Sequence, residues 1–175
     1  MRILKIVPDT VVDGPGLRTS IYFAGCKVHC IGCHNPESWD LNGGDEYFPS
    51  EIIEKIEEYG NTRVTLTGGN PLDKEHLFHV QALCEDLKKK GYNIWLYSGY
   101  RWEHIIREIQ DCTCSPKSRC LELMKILKNI DVVVDGPFIP ELRDESLLYR
   151  GSSNQRLVDV QQSLKQNRIV LYEEV

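Results

Sequence analysis

Cys26, Cys30 and Cys33 stand in CxxxCxxC spacing within Cys26-Lys27-Val28-His29-Cys30-Ile31-Gly32-Cys33, with Gly25 just before it. Thiolates are soft ligands for iron–sulfur clusters and zinc, and three from one short loop can hold three corners of one metal centre. The set is one ligand short of the usual four. In a [4Fe–4S] cube that shortfall leaves one iron open to a substrate or cofactor. A structural zinc site would instead recruit a fourth residue, with His29 or His34 nearest. The plainest reading, reduced thiols buried in a small-residue turn, does not call for three cysteines so close together.

The elements around this loop read as an α/β chain. Asp13-Gly14-Pro15-Gly16-Leu17-Arg18 is a turn, and Thr19 to Ala24 is β-branched and aromatic, so it predicts a strand that delivers the cysteine loop at its C-terminal end. Parallel α/β folds commonly place chemistry at that end. His34-Asn35-Pro36-Glu37-Ser38-Trp39-Asp40 suits either a cofactor wall or a packed turn. Ser50 can cap a helix running to about Tyr59 that Gly60 would end, with Ile52, Ile53 and Ile56 as its apolar stripe. Arg63 to Thr67 predicts a second strand entering Gly68-Gly69-Asn70-Pro71, where paired glycines allow close approach of a ligand or simply a tight strand-to-helix turn. Asp73 can cap the next helix, whose Leu77, Val80, Leu83, Cys84 and Leu87 recur at helical spacing, which makes Cys84 a core residue.

Asn93 to Tyr97 predicts a third strand, ending in Ser98-Gly99-Tyr100 and followed by a helix from about Trp102 to Ile109. Asp131 to Val134 is a short, continuously apolar strand of the kind buried on both faces. It ends at Asp135, a carboxylate at the presumed active end that could bind a cation or cofactor or start a turn. Arg150 to Gln155 reads as a turn before a helix carrying Leu157, Val160 and Leu164, and Arg168 to Tyr172 as a last strand. Alternating strands and helices, with no repeat or linker, predict one domain over residues 1–175 around a mainly parallel sheet.

At 175 residues the chain can bury a substantial core without disulfide staples, and its seven cysteines are an odd number. Met1 to Val7 lacks an uninterrupted apolar signal core and no run approaches membrane-spanning length, so a cytoplasmic protein in a reducing compartment is expected. A net charge of −5 argues against a nucleic-acid binder.

Taken together, the DGPG turn at Asp13 to Gly16, CxxxCxGC at Cys26 to Cys33, TGG at Thr67 to Gly69, SGY at Ser98 to Tyr100, DG at Asp135-Gly136 and RGSSNQ at Arg150 to Gln155 carry a resemblance over nearly the whole chain. It resembles the family of activating proteins of anaerobic, class III ribonucleoside-triphosphate reductase, small radical S-adenosylmethionine (SAM) enzymes. His34-Asn35-Pro36 and Trp39-Asp40 are also similar to the pyruvate formate-lyase activases, which are usually longer. The resemblance implies a partial α/β barrel, open on one side, with cluster and SAM at the C-terminal ends of the strands. It implies that Cys26, Cys30 and Cys33 each ligate one iron of a [4Fe–4S] cluster and that the fourth iron chelates the amino and carboxylate groups of SAM. One-electron reduction, from a donor such as flavodoxin or ferredoxin, would then cleave SAM to methionine and a 5′-deoxyadenosyl radical that takes a hydrogen from a glycine of the reductase.

The resemblance also marks cofactor contacts. Gly68 and Gly69 match the pair that approaches the SAM amino group; Asn70 stands where the family often has an acid; and Gly32 stands where many members carry an aromatic residue under adenine, a role His34 or the Gly32 backbone would assume. Ser98 and Asp135 complete the expected contacts. Cys112, Cys114 and Cys120 belong to no part of the resemblance. They could hold zinc or an auxiliary cluster, but read more simply as a surface insertion.

Overall fold

The computed structural model describes residues 1–111 and 119–173. Its strands are β1 (Arg2–Thr10), β2 (Arg18–Phe23), β3 (Asp45–Glu46), β4 (Arg63–Gly68), β5 (Asn93–Ser98), β6 (Val132–Asp135) and β7 (Arg156–Asp159). They form one seven-stranded sheet in the order β3-β1-β2-β4-β5-β6-β7. The central pairs β2–β4, β4–β5 and β5–β6 are parallel, while β3–β1, β1–β2 and β6–β7 are antiparallel. The mainly parallel sheet expected from the alternating pattern is therefore its centre, flanked by antiparallel edges.

The helices are α1 (Pro49–Tyr59), α2 (Leu77–Lys89), α3 (Trp102–Gln110), α4 (Arg119–Asn129) and α5 (Val160–Gln166). α2 lies between α1 and α4, and α4 touches α3 and α5, so they form a continuous layer. The period of two in the strands sorts their side chains between that layer and the opposite face. Ile21, Phe23, Val64, Leu66, Ile94, Leu96 and Val133 join the helix stripes, including fully buried Cys84, in the main core. On the other face Trp95, Val132, Val134 and Leu157 form a smaller cluster, with Tyr97, Tyr149 and Tyr172 packed against it.

Several local expectations are corrected. The strand β1 was not foreseen: it carries charged side chains, and Lys5 lies over the Tyr22 ring at 4.3 Å, where the aromatic face accommodates its ammonium. Ser50 is not the cap of α1, because Pro49 occupies the first helical turn and Glu51 accepts the Phe48 N–H at 2.7 Å. Asp73 does not cap α2, which starts at Leu77 after His76. Leu157 belongs to β7, and helix α5 begins three residues later with Asp159 as its cap, accepting the Gln162 N–H at 2.9 Å. The segment expected as a last strand makes one bridge, Val158 to Leu171, and its neighbours hydrogen-bond the outer edge of β7. Helix α4 was not foreseen either. Its Cys120 is buried in the first turn, while Cys112 and Cys114 lie outside the described residues.

Candidate functional site

The cysteine loop leaves β2 where the parallel strands end, and the exits of β4, β5 and β6 gather around it. Its seat is largely backbone. Gly25 N–H donates to the Ser38 carbonyl at 2.7 Å, Asn70 N–H to the Gly25 carbonyl at 3.0 Å, and Gly69 N–H to the Phe23 carbonyl at 2.8 Å. A Cβ on Gly69 would lie 2.2 Å from the Gly25 carbonyl oxygen, and one on Gly99 would lie 2.7 Å from Val28. These strand-end glycines therefore let the exits of β4 and β5 butt against the cysteine loop, which accounts for them before any ligand is considered.

Cys26, Cys30 and Cys33 are each half-buried and line one cleft of about 340 Å³, within the range of small-molecule sites at about 300–1,000 Å³. His34, Gly68, Gly69 and Ser98, all singled out from sequence, line it too. Gly32, Asn70 and Asp135 do not. Gly32 sits beside Pro140 and Phe138. Asn70 is 1% exposed and fully engaged: its Nδ2 donates to Asp73 at 2.9 Å, while its Oδ1 accepts the Ser98 hydroxyl at 3.1 Å. Asp135 is also buried, accepting the Trp102 N–H at 2.7 Å and Arg156 Nε at 3.0 Å. It fixes the start of α3 to the end of β6.

The residues fit a cluster by the chemistry of the donors. Burial pushes the Cys26 and Cys30 thiols above their ordinary range, opposed at Cys26 by the N–H groups of Val28 and His29 and at Cys30 by that of Phe138. N–H groups aimed at sulfur are the hydrogen bonds that tune cluster thiolates, and a cationic metal centre compensates the desolvation that otherwise disfavours the thiolates. Among the described residues no three His, Cys, Asp or Glu side chains gather within reach of a single metal ion. A cluster does not ask for that, because its thiolates bind separate irons. The two histidines considered for zinc are engaged with rings: His29 stacks on Trp39 at 4.8 Å and His34 packs on Phe138 at 4.7 Å.

Sequence reasoning missed the supports beneath the cleft. Arg18 is fully buried on the cleft face, donating to Thr65 Oγ1 at 2.7 Å, the Val64 carbonyl at 3.0 Å and the Pro15 carbonyl at 3.0 Å. Among the described residues no carboxylate forms a salt bridge with it, and burial lowers its pKa to about 10. Thr65 donates in turn to the Asp13 carbonyl at 2.8 Å, and Tyr22 donates to Asp13 Oδ2 at 2.8 Å. The DGPG turn is thereby fastened to the sheet, with Val12 and Asp13 in the cleft wall. Opposite it, Gln155 accepts the Gly151 N–H at 2.9 Å and donates to the Gly136 carbonyl at 3.0 Å, which seats the RGSSNQ segment on the exit of β6. Among the described residues no helix is long and apolar enough to cross a membrane.

A family profile described as "4Fe-4S single cluster domain" matches residues 12–158. The chain is 32% identical over 163 residues to the anaerobic ribonucleoside-triphosphate reductase-activating protein of Salmonella typhi, covering 89% of this chain and 96% of the relative. Identity to the protein of the same description from Escherichia coli K12 is 30% over 162 residues, with the same coverage. The counterpart from Enterobacteria phage T4 is 30% identical over 158 residues, covering 87% of this chain and 90% of its own.

Proposed function

We infer the activity from kinship and site together: the chain belongs to the family of anaerobic ribonucleoside-triphosphate reductase-activating proteins and contains a 4Fe-4S single cluster domain. Its function is accordingly to activate anaerobic ribonucleoside-triphosphate reductase. The finer reading is a radical SAM enzyme that installs a glycyl radical on that reductase. The observation that carries it is the shared cleft, in which all three loop thiols face the turns leaving β4 and β5.

When bound, a [4Fe–4S] cluster and SAM supply the chemistry, reductive cleavage of the sulfonium to a 5′-deoxyadenosyl radical. The chain's own part is to hold and enclose. Cys26, Cys30 and Cys33 are the three cluster ligands. Gly68, Gly69, Ser98 and His34 form the wall available to SAM, whereas the buried Asn70 and Asp135 act from behind it and Gly32 lies outside it, beside Pro140 and Phe138. Tyr97 and Tyr149, half-buried in the same wall, narrow the access of water to the cleft.

The winding of the sheet supports an open barrel. Strand order runs one way from β2 through β4 and β5 to β6, and right-handed crossovers in a single direction put every connecting helix on the same face. The opposite face is then free to become a barrel interior, with room for a glycine-bearing segment of the reductase. This reading treats residues 1–175 as one domain, cytoplasmic, served by a one-electron donor such as flavodoxin or ferredoxin, and without a nucleic-acid or membrane partner.

The test is to reconstitute the protein anaerobically, reduce it, and mix it with SAM and the cognate reductase. Expected are four irons and four sulfides per chain by the cluster type, 5′-deoxyadenosine, and a glycyl EPR signal on the reductase. Cys26→Ala, Cys30→Ala and Cys33→Ala should each lose the cluster and all activity. Full clusters in all three variants would refute the ligand assignment; a radical on pyruvate formate-lyase and none on the reductase would refute the partner.

A further inference from the structure

Asp73 is neither a cysteine neighbour in sequence nor part of the cleft wall, yet three of the turns around the cleft meet at its carboxylate. It is 2% exposed. Its Oδ2 accepts the N–H of Lys27, the residue after Cys26, at 2.8 Å. Its Oδ1 accepts Asn70 Nδ2 at 2.9 Å from the turn after β4 and the Tyr100 hydroxyl at 2.6 Å from the turn after β5. Ser98, which donates to Asn70, also accepts the Tyr100 N–H at 3.1 Å and closes the network.

All three donors are neutral. The nearest ammonium in the loop, that of Lys27, pairs with Glu75, and among the described residues no salt bridge reaches Asp73. A buried carboxylate held by neutral donors keeps its field, because neither water nor a countercharge screens it. Because the carboxylate is bonded to the N–H directly after Cys26, that field falls on the cysteine loop.

We propose that Asp73 is a positioning residue that also sets the cluster's reduction potential, lowering it, and that the Tyr100 hydroxyl moderates this effect. The proposal rests on the cluster assignment given above. Reduction adds an electron to the centre, and a fixed negative charge beside it opposes that addition. A hydroxyl donating to the carboxylate draws some of the charge away from the cluster. The two residues therefore act with opposite signs, which a purely architectural role does not produce.

The experiment compares wild type, Asp73→Asn and Tyr100→Phe after anaerobic reconstitution, measuring iron and sulfide content and then the midpoint potential by EPR-monitored titration. Asp73→Asn should shift the potential upward and Tyr100→Phe downward, with the iron content of Tyr100→Phe close to wild type. Unchanged potentials, or shifts of the same sign in two fully loaded variants, would overturn the proposal. If Asp73→Asn fails to load, Tyr100→Phe still decides, since an unchanged or raised potential there contradicts a moderating hydroxyl. Failure of the wild type to take up iron and sulfide is a separate result, and would overturn the cluster assignment itself.

Discussion

Gly69 and Asn70 have adjacent places in the chain and different constraints. At Gly69 the close neighbour is protein, the Gly25 carbonyl 2.2 Å from where a Cβ would stand. Gly69→Val should push the cysteine loop from its seat, lowering both the melting temperature and the iron bound per chain. A variant with wild-type melting and full iron but weaker SAM binding would return this position to the ligand. Asn70→Asp would bring a second carboxylate to within 2.9 Å of Asp73 and remove the donor between them. The expected cost is about 1–3 kcal/mol in urea denaturation, the range for a buried group left without its partner; unchanged stability would contradict the paired geometry. The seven cleft-lining positions Cys26, Cys30, Cys33, His34, Gly68, Gly69 and Ser98 were legible in the sequence, because cysteine spacing and strand-end glycines are local signals. The roles of Asn70 and Asp73 were not. Asn70 reads as a cofactor contact and Asp73 as a helix cap until Ser98 and Tyr100 arrive from another strand to complete their hydrogen bonds.

Between elements, Asp135 ties together the end of β6, the first turn of α3 and the start of β7. Asp135→Ala leaves the buried Trp102 N–H without its acceptor and removes one partner of the half-buried Arg156, a loss of about 1–3 kcal/mol that should lower the urea midpoint. A change within error would mean that Arg156 is satisfied by Glu103 alone. Glu103 itself predicts a pH dependence. Hydrogen bonds from Arg156, above all, hold its carboxyl at a depressed pKa of about 2. A depressed folded value means that its stabilisation is present above the unfolded value of about 4.3 and is lost as pH falls toward about 2. Stability should decline across that window, modestly because the side chain is half exposed, and Glu103→Gln should flatten the decline. Comparable slopes in both proteins would assign the acid sensitivity elsewhere. The apolar strands and the stripe of α2 could be read directly, since periodicity reports burial. The edges could not: whether Leu157 is helical or extended is decided by pairing with Val134 across the sheet, a contact that no local pattern encodes.

At the level of the whole molecule, the sheet should exchange its amide hydrogens from the outside inward. The parallel strands β4 and β5 are paired on both sides and covered by helices, so their amides should be the slowest, with β3 and the segment from Arg168 to Tyr172 fastest. Equal protection of β3 and β4 would argue against this order. The α/β character was readable from alternating strands and helices, but the antiparallel flanks were not, because the partners of β1 and β7 are fixed by topology. That topology bears on biosynthesis. Apart from β3, which joins the far side of β1, the strands stand across the sheet in the order in which they are made. A chain leaving the ribosome at about 5–20 residues per second can add every later strand to an existing edge without prising a finished sheet apart. The cysteine loop, however, is made early, while Gly69, Gly99 and the wall from Gly136 to Gln155 follow it. The nascent protein thus carries its three thiols in an unfinished pocket, and the proposed cluster should be held stably only once β6 and β7 have been added.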